Sequence, residues 1–551
     1  MKALCEKLAE PDAFIIAAEL VTSRGTLTQH TGKALFEISH QLAADPRFDL
    51  LSITDNAGGN AMFAPETLAE SLRDADQEVS IHVACKDFNR NGIEARAWEL
   101  ASEGFNNILA LSGDYPISGH GGVAKPVFDI DSVGLISLLS DMNDGLPELR
   151  APQGRLDPTS FYIGCAVTNH KLHEREVMPQ YYKLAKKVRA GARWGFNQIG
   201  WNARKDDELL RWVAAEQLDV KLIANVYVLT RGVARVFNAG KIPGVIVTSE
   251  LLEQAEKYGG GEDKGRAYFT DLAAKQIAVA RGLGYKGAYI GGHMPFEQYD
   301  AILSLASQIT GDQWLEAARE LGYDRPGEFY LYGRDPHTGL SDGQPRAEYL
   351  ESCRTRRPDL PVPLSYRFSR LMHDAVLGQE APLFGLGTKV YSKLEQLPKP
   401  VQRTAHLVEQ AAKVPMFNCK DCGDCSLPDI AYVCPEGPCA KNQRNGPCGG
   451  TRDGLCEVYD TECIWAQAYE RLKAYGEQQG LVDGPVIIKD NALKGTSAWA
   501  NTFLGRDHSA RNHRRLEDKA RENAGGNSGI SSNATSSTEN AGQRAGAAQN
   551  K

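Results

Sequence analysis

Between residues 14 and 308 the chain repeats one pattern: a short apolar run, a polar loop, then a longer amphipathic stretch. The apolar runs fall at 14–18, 50–53, 79–83, 107–111, 161–165, 194–198, 222–228 and 288–292. Short runs that are apolar throughout, rather than alternating, are what parallel strands covered on both faces require. Between them, segments such as 92–103, 181–190 and 273–283 place apolar residues at helical spacing. Eight such units in about 300 residues predict an α/β fold, a (β/α)8 TIM barrel, with a doubly wound parallel sheet as the alternative. The run 242–247 is a ninth candidate strand. It is set aside because Gly-Tyr-Lys-Gly-Ala-Tyr-Ile at 284–290 has the better helix–turn–strand setting.

Past residue 310 the alternation stops. Residues 1–310 form the expected barrel and 311–415 a helical bridge, with helical spacing at 314–321 and 367–377 among proline-rich turns. Residues 416–504 form a small cysteine-rich unit, with 466–477 as a helix packed against it. From about Arg506 aromatics vanish and Asn, Ser, Gly and charges dominate, so 505–551 is expected to be a disordered tail.

Eight of the twelve cysteines crowd into that unit: Cys419, Cys422, Cys425, Cys434, Cys439, Cys448, Cys456 and Cys463. The same stretch is rich in Gly and Pro and has little from which to build a core, so it needs crosslinks or metal to fold. The N-terminus shows no signal-peptide pattern, and no apolar stretch is long enough for a membrane span. A cytoplasmic chain is therefore expected, where thiols stay reduced and clustered cysteines favour metal. Cys419-Lys-Asp-Cys422-Gly-Asp-Cys425, with Cys434-Pro435 beyond, is close to an iron–sulfur ligand pattern, which favours a [4Fe–4S] cluster; structural zinc is the alternative. Eight thiolates suffice for two centres, and the spacing does not divide them. Cys434, Cys439 and Cys448 are all candidates to complete the first three.

A net charge of −8 and a pI near 5.9 argue against nucleic acid as a partner and for a soluble enzyme. No phosphate-binding glycine motif follows a strand. In a parallel barrel the chemistry gathers at the C-terminal strand ends, which here carry Glu19, Thr54, His82, Asp114, Thr168, Gln198 and Tyr227. Cys85 and Cys165 also sit there, read as small buried hydrophobes rather than nucleophiles.

These strand ends, with Ile81-His-Val-Ala-Cys-Lys86, Leu109-Ala-Leu-Ser-Gly-Asp-Tyr-Pro116, Phe128-Asp-Ile-Asp-Ser-Val133, Phe161-Tyr-Ile-Gly-Cys-Ala166 and Lys186-Lys-Val-Arg-Ala-Gly-Ala192, resemble the methylenetetrahydrofolate reductase family over residues 10–300. The cysteine unit resembles the C-terminal domain fused to, or encoded beside, some bacterial members. The resemblance implies a flavin-bearing barrel, with FAD or FMN, that reduces 5,10-methylenetetrahydrofolate to 5-methyltetrahydrofolate. Its electron donor would be a nicotinamide cofactor or an electron-transfer protein, and a homo-oligomer is allowed. Position by position, Glu19 matches the acid that protonates folate N10 and Asp114 the aspartate beside the flavin. Gln198 matches the glutamine that recognises folate, with Tyr227 placed beside the substrate. Thr54, His82, Thr168 and Lys187 fall at flavin-binding positions. The chain departs from the pattern at Leu20-Val-Thr-Ser23, where Phe-Phe-Pro-Pro is common, at Ser112, where an arginine is common, at Gln180, where an aspartate binds the adenosine part, and at Thr168. These departures cluster on the phosphate and adenosine side.

The residue types suit that chemistry. Opening the substrate's five-membered ring to an iminium requires protonation of a weakly basic nitrogen, a task for a carboxylic acid whose pKa burial has raised. Glu19 follows Ile-Ile-Ala-Ala, an apolar strand able to supply that desolvation.

Overall fold

The computed structural model of the protein describes residues 2–514, apart from 118, 152–153, 355 and 358–359. Eight parallel strands close into a barrel in chain order: β1 (Ile15–Leu20), β2 (Leu50–Ile53), β3 (Val79–Ala84), β4 (Asn107–Leu111), β5 (Tyr162–Val167), β6 (Trp194–Asn197), β7 (Lys221–Tyr227) and β8 (Gly287–Gly291). Closure pairs Ala17 of β1 with Leu50 on one side and Tyr289 on the other. Every apolar run expected to be a strand is one, and 242–247 is not.

Large rings fill the barrel interior. Phe196 stacks on Tyr289 at 4.0 Å, and Trp194 meets Phe196 edge-on at 5.3 Å. Gly164 makes room for them, since a Cβ there would stand 2.4 Å from the Trp194 ring. The N-terminal helix Leu4–Ala9 closes the bottom by burying Leu4 and Leu8 against this cluster. With the N-terminal end plugged by apolar side chains, the polar strand ends are left at the opposite mouth.

The bridge is helical with one exception. A hairpin pairs Tyr332–Arg334 with Ser341–Pro345, and its polar sequence gives no alternation to read. Its order comes from the barrel: Asp207 accepts from the Ser341 amide at 2.8 Å, and Glu208 accepts from the Leu331 and Tyr332 amides. The long helix Lys399–Phe417 runs through residue 415, where the bridge was expected to end, and delivers Cys419 directly. Both it and helix Leu364–Met372 leave apolar side chains exposed, Leu364, Phe368, Leu371, Leu407 and Val408 among them.

From 418 to 463 there is almost no regular structure, as the Gly/Pro content implies. The unit is organised by polar centres. Asp424, fully buried between Cys422 and Cys425, accepts from the Asp490 and His508 amides, from His508 Nδ1 at 2.6 Å and from Arg511 at 2.8 Å. Its carboxyl is thereby held far below the usual range although burial opposes this. The expected tail therefore starts too early: residues 505–514 are docked through His508 and Arg511, because buried His508 and half-buried Arg511 both meet the buried Asp424, a partner that composition does not reveal. Residues 515–551 lie outside the described residues.

Candidate active site and the docked cysteine module

Glu19 stands near the C-terminal end of β1, facing Tyr227, Tyr289 and Tyr299 across the mouth. Burial pushes its carboxyl up to about 7, and the Tyr289 hydroxyl partly offsets this by favouring the carboxylate. Gly291 on β8 gives the Glu19 carboxyl room to lie against the strand, since a Cβ there would come 2.7 Å from Glu19 Oε2. Tyr289 and Tyr299 were missed from sequence: Tyr289 lies inside a strand run and Tyr299 on the following helix Phe296–Gln308, and only closure of the barrel brings both to β1.

His82 is buried on β3, with Nε2 2.8 Å from Ser52 Oγ. Burial pushes its pKa down to about 3, so the ring is neutral. Thr54 clips the first two loops: its Oγ1 accepts from the Thr22 amide at 3.2 Å and its carbonyl from Thr22 Oγ1 at 3.0 Å. Asp114 accepts from the Gly58 amide at 2.9 Å. Gln198 Oε1 accepts from the Ile199 amide at 2.9 Å, which leaves its Nε2 directed elsewhere. Lys187 is buried and donates to the Ala166 carbonyl, with its pKa lowered to about 8 by burial. Thr168 meets the cysteine module: a Cβ on Gly449 would stand 2.6 Å from its Oγ1.

The module is packed onto the mouth rather than hung beside it. Asp131 caps helix Ser132–Asn143 through Oδ1 and, through Oδ2, accepts from the Arg444 and Asn445 amides at 3.1 and 2.8 Å. Lys441 pairs with Glu457, both buried, and donates to the Gly113 carbonyl at 2.9 Å, beside Asp114. Tyr469 donates to Glu174 at 2.6 Å. None of these module residues stood out in the sequence, where the 441–445 run reads only as a polar loop between cysteines.

The structure sorts the eight thiols into two groups. Cys419, Cys422, Cys425 and Cys434 line one cavity together with Lys413 and Arg444. Cys439, Cys448, Cys456 and Cys463 lie within electrostatic reach of one another, close to the barrel lysines Lys171 and Lys183. None of the twelve cysteines is paired in a disulfide. Among the described residues no three His, Cys, Asp or Glu side chains converge closely enough to hold a metal ion as they stand. The donors around the sulfurs nonetheless suit thiolate. The amide two residues on points at the sulfur of Cys419, Cys434, Cys439, Cys448, Cys456 and Cys463. Arg444 faces Cys422, and Lys413 reaches Cys425 at 3.6 Å. Without a cation, burial pushes Cys439 and Cys463 up to about 12; a bound metal reverses that balance by favouring the anion.

A family model described as methylenetetrahydrofolate reductase matches residues 5–282, and one described as methylene-tetrahydrofolate reductase C terminal matches 399–491. No curated relative matches. Among solved structures, an uncharacterized protein from Clostridium thermocellum that binds two copies of 5-methyl-5,6,7,8-tetrahydrofolic acid is 12% identical at a TM-score of 0.41, over 56% of this chain and 98% of that one. A Xanthomonas albilineans dihydropteroate synthase is 13% identical at 0.30, over 55% and 95%. Likenesses this distant fix neither a substrate nor a reaction. Among the described residues no helix is long and apolar enough to cross a membrane.

Proposed function

The chain belongs to the methylenetetrahydrofolate reductase family, and we propose that it reduces 5,10-methylenetetrahydrofolate to 5-methyltetrahydrofolate at the barrel mouth. Glu19 carries this reading: a buried carboxylic acid with a pKa of about 7, set against Gly291 with tyrosines around it. A group with that pKa is about half protonated at neutral pH and gives up its proton readily. Glu19 donates to N10, the ring opens, and the iminium carbon becomes reducible. The resulting carboxylate is then stabilised by the Tyr289 hydroxyl. Asp114, fixed by the Gly58 amide, supplies negative charge on the side where the cation forms. Gln198 pairs with the pterin edge through its Nε2.

A flavin lying against Thr54, His82, Asp114 and Lys187 would supply the hydride. His82 on β3 suits such a ring, because a neutral imidazole would add no charge beside it. Reducing equivalents come from a nicotinamide cofactor or an electron-transfer protein. In the module, Cys419, Cys422, Cys425 and Cys434 form one four-thiolate set and the other four a second. A [4Fe–4S] cluster is the reading for the first set, because its three leading thiols fall within one tight loop. Structural zinc is the second reading, favoured by the many docking contacts that a clip would serve. The deciding experiment is a visible and EPR spectrum of anaerobically purified protein with flavin, iron, sulfide and zinc measured on one sample. Flavin-free protein that takes up neither FAD nor FMN would refute the proposed activity.

A further inference from the structure

Resting on the flavin reading above, we propose that module residues 443–451 form a fixed wall across the β4–β6 side of the mouth, which admits a mononucleotide flavin and excludes a dinucleotide.

A diphosphate buried at a barrel mouth needs cations or donors that are free to turn toward it. Two cations on this side, Lys183 and Lys171, are already bound to the wall. Lys183 Nζ donates to Gln443 Oε1 at 2.8 Å, Gly446 O at 3.1 Å and Pro447 O at 3.0 Å, which uses all three ammonium hydrogens. Lys171 donates to Gly449 O at 2.7 Å and to Thr451 O, and both lysines are buried. Ser112 Oγ donates to Gln443 Oε1 at 3.0 Å.

The wall also leaves no volume. A Cβ on Gly446 would come 2.7 Å from the Lys183 side chain, and one on Gly449 would come 2.6 Å from Thr168 Oγ1. Both glycines have positive φ, 129° and 94°, so the strap lies flat against the barrel only because no side chain intervenes. From behind it is pinned by Asp131, which holds the 444 and 445 amides, and by Trp465 Nε1, which donates to Gln443 O at 3.1 Å. A segment held from both faces is a wall, not a lid. Three of the sequence departures face it: Ser112 meets Gln443, and Thr168 and Gln180 both lie next to Gly449. They refit the barrel rim to the module.

The test titrates flavin-stripped, metal-loaded full-length protein with FMN and with FAD, following fluorescence quenching and calorimetry. FMN is expected to bind at least about tenfold more tightly than FAD. Equal affinities, or a preference for FAD, would overturn the wall while leaving the flavin reading intact. Protein that binds neither would remove that reading, and this inference with it. Lys183→Met deletes three of the strap's bonds and should narrow the preference, with circular dichroism and metal content checking the fold. An unchanged preference in folded variant protein would overturn the wall as the discriminator. Should the variant fail to fold, the wild-type ratio decides alone.

Discussion

The barrel and the cysteine module are held together by opposite means. Inside the barrel Trp194, Phe196, Tyr289, Leu4 and Leu8 are buried together, and the strands around them are buried along almost their whole length. Between 418 and 463 the buried apolar residues are few, Leu427, Ile430, Ala431, Val433 and Cys434, while Asp424, Ser426, Lys441, Gln443, Arg444, Asn445 and Thr451 are buried polar groups. Hydrophobic burial can carry the first region. The second depends on each buried charge keeping its partner and on whatever its thiols bind. A region of the second kind can be read only once its partners are known.

The comparison breaks hardest at Glu19. Glu19→Gln should slow the folate half-reaction by about 10²–10⁴-fold while flavin binding and flavin reduction stay near normal. Single-turnover stopped flow on each half-reaction separates the two. If both halves slow equally, the residue is structural.

Next comes Cys422→Ser. If metal supplies much of the module's folding free energy, this variant loses one metal centre and unfolds the C-terminal third at lower temperature, while the barrel keeps its flavin. Metal analysis with hydrogen exchange over 418–514 would show it. Full metal content would mean that Cys422 is not a ligand, and metal loss with unchanged protection that the polar contacts alone hold the module.

A change in the barrel should act the other way. Gly164→Ala forces a methyl into the Trp194 ring and should cost about 1–3 kcal/mol of barrel stability. Metal content should not change. Equilibrium unfolding followed by tryptophan fluorescence measures it, and loss of metal alongside would show the two regions to be one cooperative unit.

The last effect concerns pH. Burial raises the folded pKa of Glu19 above its unfolded value, so folding favours the protonated form. Its contribution is present below the unfolded value and is lost as pH rises toward about 7, leaving a cost on the order of 3 kcal/mol above that. Glu19→Gln should therefore be more stable than wild type at pH 8 and nearly equal to it at pH 4. A buried acid held at such a cost is what the proposed protonation of folate calls for.

The barrel was legible because strand runs and helix periods are local: all eight strands and the mouth residue Glu19 followed from them. What stayed hidden depends on distant partners. The hairpin at 332–345 is ordered by Asp207 and Glu208, more than a hundred residues earlier. Tyr289 reaches Glu19 only through closure of β8 on β1. The grouping of the thiols, and the use of Lys441, Gln443 and Gly449 at the mouth, depend on how the module docks, which spacing between cysteines does not encode.

The central claim is that a buried acid at the end of β1 protonates a folate. Its most direct test is to reduce the flavin-loaded protein anaerobically, mix it with 5,10-methylenetetrahydrofolate and follow flavin reoxidation from pH 5.5 to 9. The account predicts reoxidation with formation of 5-methyltetrahydrofolate, fastest at low pH and falling through an apparent pKa near 7, and a Glu19→Gln variant that stays reduced. A pH-independent rate, or a variant that reoxidises as fast as wild type, would contradict it.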